Sequence, residues 1–346
     1  MTRRLRFLGV SVICSLVLSG PLQPSAWAWE EADFEQKPSR SYVVSGDDVV
    51  GRLRAHRIKK GDTLLDVARH YSLGHGEIIE SNPGLDVWLP PPGAIAMLPT
   101  SWVLPCCART GLVINIPEMR LYYFRPLADG SKSTEVITYA VGLGRDEWQT
   151  PRGKFKIRSK TEDPTWVIPE SIRAERIEKD GDARRSIPGG AEDNPLGKHR
   201  LALTLPSYAI HGTHIPWGVG MQVSHGCIRL YPEDVARLFP QVPVGTPGEF
   251  LYQPVKIGRY GDDVYAEVTS DIYGLTPGLW REAGAIIERL GVADRIDQDR
   301  LMEALQNPVG FPVKISRDRL PTQQTRIEGN SDAGVSAADT CETRDD

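Results

Sequence analysis

Tyr208-Ala209-Ile210-His211-Gly212-Thr213 and, after a glycine-rich spacer, Ser224-His225-Gly226-Cys227-Ile228-Arg229-Leu230 decide how this chain is read. The first run is a short apolar strand ending on a histidine. The second is a turn that delivers a cysteine and returns to an apolar strand. Gly218, Gly220 and Gly226 let the intervening loop fold back, which brings Cys227 within reach of two histidines. A free thiol is only a few per cent thiolate at neutral pH. An imidazole within hydrogen-bond reach can take its proton, and amides aimed inward by the turn at Gly226 can hold a developing oxyanion. Residue types alone make Cys227 a candidate nucleophile and leave two rivals open: a small buried structural cysteine, and a zinc site of His211, His214, His225 and Cys227. The spacing speaks against zinc. His211 and His214 follow a strand instead of sharing a helical turn, and no nearby carboxylate is evident to support a ligand.

Working outward, residues 112–116 and 119–124 flank Pro117-Glu118 as a hairpin, and 136–141, 154–157, 201–205 and 208–211 read as further strands. One short helix, 233–239, follows Pro232. Residues 109–254 are thus expected to be a mainly β domain with a sandwich or barrel-like core. Residues 54–104 read as a small βααβ unit. Asp62 or Thr63 caps a helix carrying Leu64, Leu65, Val67, Ala68 and Tyr71, a second short helix holds Ile78 and Ile79, and residues 94–98 form a closing strand. Residues 29–53 read as a polar linker. Thr276 and Pro277 open a helix that Gly291 closes, and Leu301 and Leu305 belong to another, so 255–316 is expected to be a small helical extension. Residues 317–346 lack the apolar surface to offset ordering entropy and read as a disordered tail.

The 346 residues are 40% hydrophobic and 25% charged with a formal net charge of −4, ordinary for a globular protein and without a basic field for nucleic acid. Arg3, Arg4 and Arg6 precede an apolar run, and Ala26-Trp27-Ala28 supplies a small-x-small cleavage site, so residues 1–28 read as a secretory signal peptide. The run is short for a bilayer, and the mature protein is expected to be exported without a transmembrane segment. Cleavage leaves Cys106, Cys107, Cys227 and Cys341, too few for a disulfide scaffold, and adjacent Cys106 and Cys107 are poorly placed to bond each other.

His211-Gly212 followed by Ser224-His225-Gly226-Cys227 resembles the active-site signature of the L,D-transpeptidases with a YkuD-type catalytic domain. Thr150-Pro151-Arg152-Gly153 and Asp193-Asn194-Pro195-Leu196-Gly197 are further family-like pieces. Lys60-Gly61-Asp62-Thr63-Leu64, Ala68, Tyr71, Asn82-Pro83, Leu89, Gly93 and Ile95 resemble a LysM module, a small peptidoglycan-binding fold, from which Pro90-Pro91-Pro92 departs. The whole arrangement resembles the periplasmic subgroup that includes enzymes attaching murein lipoprotein. Arg229 stands where many relatives have Asn.

The resemblance implies two-step acyl transfer. Cys227 attacks the carbonyl of the L-centre at position three of a donor stem tetrapeptide and expels the terminal D-alanine. An amine, or water in a carboxypeptidase side reaction, then resolves the thioester. His211 is implied as base, with backbone donors from His225, Gly226 and Cys227, loop support from Ser224 and Gly212, and substrate contacts from Arg229, Trp217 and Met221. No cofactor and no metal are implied. The implied partners are stem peptides, glycan strands and murein lipoprotein. A non-catalytic wall-binding protein and a zinc peptidase are the rival readings. The LysM-like block carries no cluster of catalytic type, so thioester formation is expected to survive its removal.

Overall fold

Leu112, Ile114, Leu121, Tyr123, Ile137 and Tyr139 face one core, while Val113, Tyr122, Phe124 and Val136 face another. Successive side chains of a strand point to opposite faces, so Gly111–Asn115, Arg120–Pro126 and Thr134–Ala140 are covered on both sides. That is why they read as apolar runs with little alternation. In the computed structural model, which describes residues 30–31, 40–127 and 133–318, they belong to a nine-stranded mixed sheet. Its order is Ile228–Arg229, Ala209–His211, His199–Leu203, Gly153–Glu162, Pro247–Leu251, Gly111–Asn115, Arg120–Pro126, Thr134–Ala140, Ser41–Val44. The long strand Gly153–Glu162 pairs with Pro247–Leu251 through its first residues and with His199–Leu203 through its last, with a register shift between Ile157 and Ser159. The two halves enclose a common core, in which Leu112 and Ile114 meet Leu201, Leu203, Ile210 and Ile228. The fold is mainly β, as expected.

The second face of the sheet is covered by residues 54–104. Strand Arg54–Arg57 pairs antiparallel with Ile95–Leu98, and between them lie helices α1 (Leu64–Tyr71) and α2 (His75–Glu80). Thr63 caps α1 by accepting the Asp66 amide at 3.0 Å. Leu64, Val67, Ala68, Tyr71 and Ile78 then pack with Trp102 and Leu104 onto Val113, Tyr122 and Phe124. The joint contains a buried ion pair. Arg120 donates to Glu77 at 2.6, 2.7 and 2.9 Å and stacks over the Trp102 ring at 4.3 Å.

Three expectations are corrected. The stretch read as a linker contributes three strands: Glu30–Glu31 pairs parallel with Arg54–Arg57, Ser41–Val44 closes the large sheet against Thr134–Ala140, and Val49–Gly51 pairs with Ser101–Val103. The extension read as helical opens with an antiparallel hairpin, Val255–Tyr260 and Asp263–Val268, joined by Val313–Lys314. Its helices, labelled here α5 (Leu279–Leu290) and α6 (Gln298–Gln306), pack on that sheet. Residues 109–254 hold a second helix besides α4 (Pro232–Gln241), namely α3 (Glu170–Asp180). It has no buried residue and no apolar stripe, so periodicity could not reveal it. The signal-peptide reading and nearly all of the tail lie outside the described residues. No helix among the described residues is long and apolar enough to cross a membrane.

Candidate active site

His211 ends the strand Ala209–His211, which has a neighbour on each side. The register sets Arg200 of His199–Leu203 and Arg229 of Ile228–Arg229 opposite His211. Paired residues share a face, so Arg200, His211 and Arg229 form a row across three strands. Cys227 lies two residues before Arg229, beside Ala209, whose amide hydrogen-bonds the thiol. The half-buried thiol donates to the Ser207 carbonyl at 3.5 Å.

His211 is 3% exposed. Its Nδ1 lies 2.6 Å from the carbonyl oxygen of Gly212. A carbonyl only accepts, so Nδ1 carries the proton and Nε2 of the neutral ring keeps a lone pair. Burial, then the charge of Arg229 and more weakly that of Arg200, pushes the imidazole down to about 3, against the Gly212 hydrogen bond. Burial also pushes the Cys227 thiol above its ordinary value, opposed by the Ala209 amide and the same two arginines. At neutral pH the resting pair is thiol and neutral imidazole.

The turn before the cysteine is fixed from several sides. Gly226 has φ +99°, and a methyl group there would lie 2.7 Å from the Tyr208 ring. Ser224 Oγ donates to the Cys227 carbonyl at 2.6 Å and accepts the Gly226 amide at 3.1 Å. The Gly226 N–H is therefore committed within the turn, which removes it from the expected oxyanion donors. Thr150 Oγ donates to the Gly226 carbonyl at 3.1 Å, and Tyr273 hydroxyl accepts the Thr150 amide at 3.3 Å while donating to Gly144 at 2.5 Å. Asn194, from the other family-like piece, donates to the carbonyls of Pro164 and Pro188 at 2.9 and 3.0 Å, closing the base of the insertion that carries α3.

His225 faces α3. Its Nε2 donates to Glu175 at 2.8 Å, a carboxylate also bound by Arg145 at 3.0 and 3.1 Å and by Lys179 at 2.8 Å. Arg145, then Lys179 and His225, hold Glu175 well below the usual carboxylate range. Trp148 sits edge-on to the His225 ring at 5.5 Å. Sequence reading missed Glu175 and Arg145 because charged residues in α3 and in a loop carry no spacing signal. Trp217 is 47% exposed on the turn Pro216–Gly218, and the Met221 carbonyl accepts the Leu143 amide at 3.0 Å. Among the described residues neither makes a hydrogen bond or ring contact to Cys227 or His211. His211, His214, His225 and Cys227 do not gather as metal ligands among the described residues.

The spacer that leads to the cysteine rests on the N-terminal block. His75 N–H donates to the Val219 carbonyl at 3.0 Å and Gly76 N–H to that of Gly220 at 3.2 Å. Tyr231 hydroxyl donates to Leu73 carbonyl at 3.0 Å, Arg69 binds Glu233 through two bonds of 2.8 and 2.9 Å, and Ser72 donates to Asp234. This docking runs against the expectation that the block can be removed without touching the chemistry.

Cys106 is disulfide-bonded, whereas Cys107 is buried and free, with burial pushing its thiol up to about 11. Residues 109–257 match the YkuD family, the L,D-transpeptidase catalytic domain. The chain is 36% identical over 323 residues to "Probable L,D-transpeptidase ErfK/SrfK" of Escherichia coli strain K12, covering 89% of this chain and 97% of that one. It is 36% identical over 289 residues to "Probable L,D-transpeptidase YcfS" of the same strain, covering 81% and 88%. With "Probable L,D-transpeptidase YbiS", also of that strain, it shares 33% over 287 residues, covering 79% and 90%. The chain belongs to the L,D-transpeptidase family.

Proposed function

We propose that this L,D-transpeptidase acts on peptidoglycan through a Cys227 thioester, with His211 as the base. The observation that carries the reading is the pairing of Ala209–His211 with Ile228–Arg229. It sets a half-buried thiol beside the strand that ends on a histidine whose Nδ1 is tied to a carbonyl. Nε2 takes the thiol proton as the sulfur attacks the position-three carbonyl of a stem tetrapeptide. The Sγ–C bond forms, the C–N bond breaks, and the departing D-alanine amine receives that proton. An amine then attacks the thioester, either from another stem peptide in cross-linking or from murein lipoprotein. Water gives the carboxypeptidase side reaction. The amides of His225 and Cys227 serve the oxyanion, Ser224, Gly226 and Gly212 hold the turn and the imidazole, and Arg229 meets a substrate carboxylate. Trp217 and Met221 line the approach.

We also propose three folded units, 54–104, 109–254 and 255–316. The first is a LysM-like glycan binder, a reading supported by its βααβ order and by the exposed Trp88 and Leu89 in the loop before its last strand. The engaged Cys106 supports export to an oxidising compartment such as the periplasm. Purified Cys227→Ser tests the reading. Nearly complete loss of turnover with an unchanged fold is expected, and turnover within about tenfold of the parent protein contradicts it.

A further inference from the structure

Around the site, Arg145 holds Glu175, Arg176 holds Asp182, and Arg184 holds Asp182 and Asp193. Arg200 and Arg229 hold no carboxylate among the described residues, and Arg229 Nε is buried with no hydrogen-bond partner. These two are also the residues in register with His211, one on each neighbouring strand. Adjacent strands lie about 4.8 Å apart, so a guanidinium group rises on either side of the imidazole. Two half-buried cations with no internal anion suit a ligand that brings one, and guanidinium groups match the geometry of a carboxylate.

We infer that Arg200 and Arg229 form a subsite for the free terminal carboxylate of the departing residue of the donor peptide. The inference rests on the acyl-transfer reading above and extends it to a residue, Arg200, that the sequence did not single out. In the departing amino acid the amine and the carboxylate are separated by a single carbon. A histidine that hands its proton to that amine therefore has the carboxylate beside it, where the row puts the two guanidinium groups. The carboxylate is not altered in the reaction. It has a second effect through charge. The two arginines disfavour imidazolium at His211, and an arriving anion offsets their field, so the imidazole accepts the thiol proton more readily with the donor in place. The subsite also reads chain length, because a donor with one more residue carries its carboxylate beyond the row.

The test compares kcat/KM for a soluble stem tetrapeptide with a free terminal carboxylate and for the same peptide as its terminal carboxamide. The proteins are the parent, Arg200→Gln, Arg229→Gln and Arg200→Lys, each checked for its melting transition. The parent is expected to prefer the acid by at least about tenfold, the scale of one charge-assisted hydrogen bond. Each Gln variant cuts that preference by about tenfold, chiefly through KM, and Arg200→Lys recovers part of it. Equal use of both peptides by the parent overturns the subsite whatever the variants do. So does an undiminished preference in both folded Gln variants. If the parent turns over neither peptide, the acyl-transfer reading itself fails and the subsite with it.

Discussion

Gly74 and Gly220 meet backbone to backbone: a methyl group on Gly220 would lie 2.4 Å from Gly74 Cα and 2.3 Å from the His75 amide nitrogen. Gly74 joins α1 to α2 in the N-terminal block, and Gly220 sits in the spacer between His211 and Cys227. Gly220 has φ +80°, so a side chain there adds backbone strain to the clash. Gly220→Ala is expected to slow Cys227 acylation by a carbapenem at least tenfold, read as adduct growth by intact mass. A rate within twofold of the parent would show that the spacer does not depend on this contact. Deletion of the block should slow acylation further, because it also strips the second face of the large sheet.

The two histidines separate by pH. His211 stays neutral from pH 7 down to about 3, so its base form persists through the acidic range and the acid limb of acylation should lie well below the ordinary histidine value of about 6.5. His211→Ala is expected to abolish acylation at neutral pH and regain it only in alkaline solution, above the ordinary thiol range, because burial holds the Cys227 thiol up. His225→Ala should lower the rate evenly across pH, because it loosens the turn from Glu175 without removing the base. Stopped-flow acylation rates across that range decide, and alkaline rescue of His225→Ala alone reverses the assignment.

Arg229→Gln removes a cation that lowers both His211 and Cys227. Both limbs of the pH–rate profile should therefore move upward, by less than the full depression of His211 because burial is its larger cause. An acid limb that stays in place shows that the guanidinium field does not reach the imidazole.

Glu77→Ala tests the joint between the N-terminal block and the large sheet. It leaves Arg120 buried and deprived of its carboxylate, a loss of about 3 to 5 kcal/mol. Denaturant unfolding should report that fall, and a loss below about 1 kcal/mol contradicts the role given to the pair.

The chemistry was more legible than the architecture. Cys227, His211 and Gly226 stand out because a thiol, an imidazole and a left-handed turn leave residue-type signatures at short spacing. The row Arg200–His211–Arg229 could not be read, since it depends on strand register. Glu175 was hidden in a helix with no apolar face. The C-terminal hairpin was legible in the alternation of Val255 and Ile257 and of Val264, Ala266 and Val268, which form one core face. What the sequence could not show is that Lys256 and Glu267, on the other face, are buried as well. They stay buried by pairing with each other at 3.0 Å, with Lys256 also bound to Glu118 at 2.9 Å. Ser41–Val44 is short and closes the sheet at its edge, too little sequence to outweigh its polar surroundings.

The most direct test of the account is peptide mapping of the acyl-enzyme formed with a disaccharide tetrapeptide donor. The account predicts one adduct, on Cys227, equal in mass to the donor after loss of its terminal alanine, with free alanine released in equal amount. It is absent from Cys227→Ala. An adduct on any other residue, or alanine release that persists in Cys227→Ala, contradicts it.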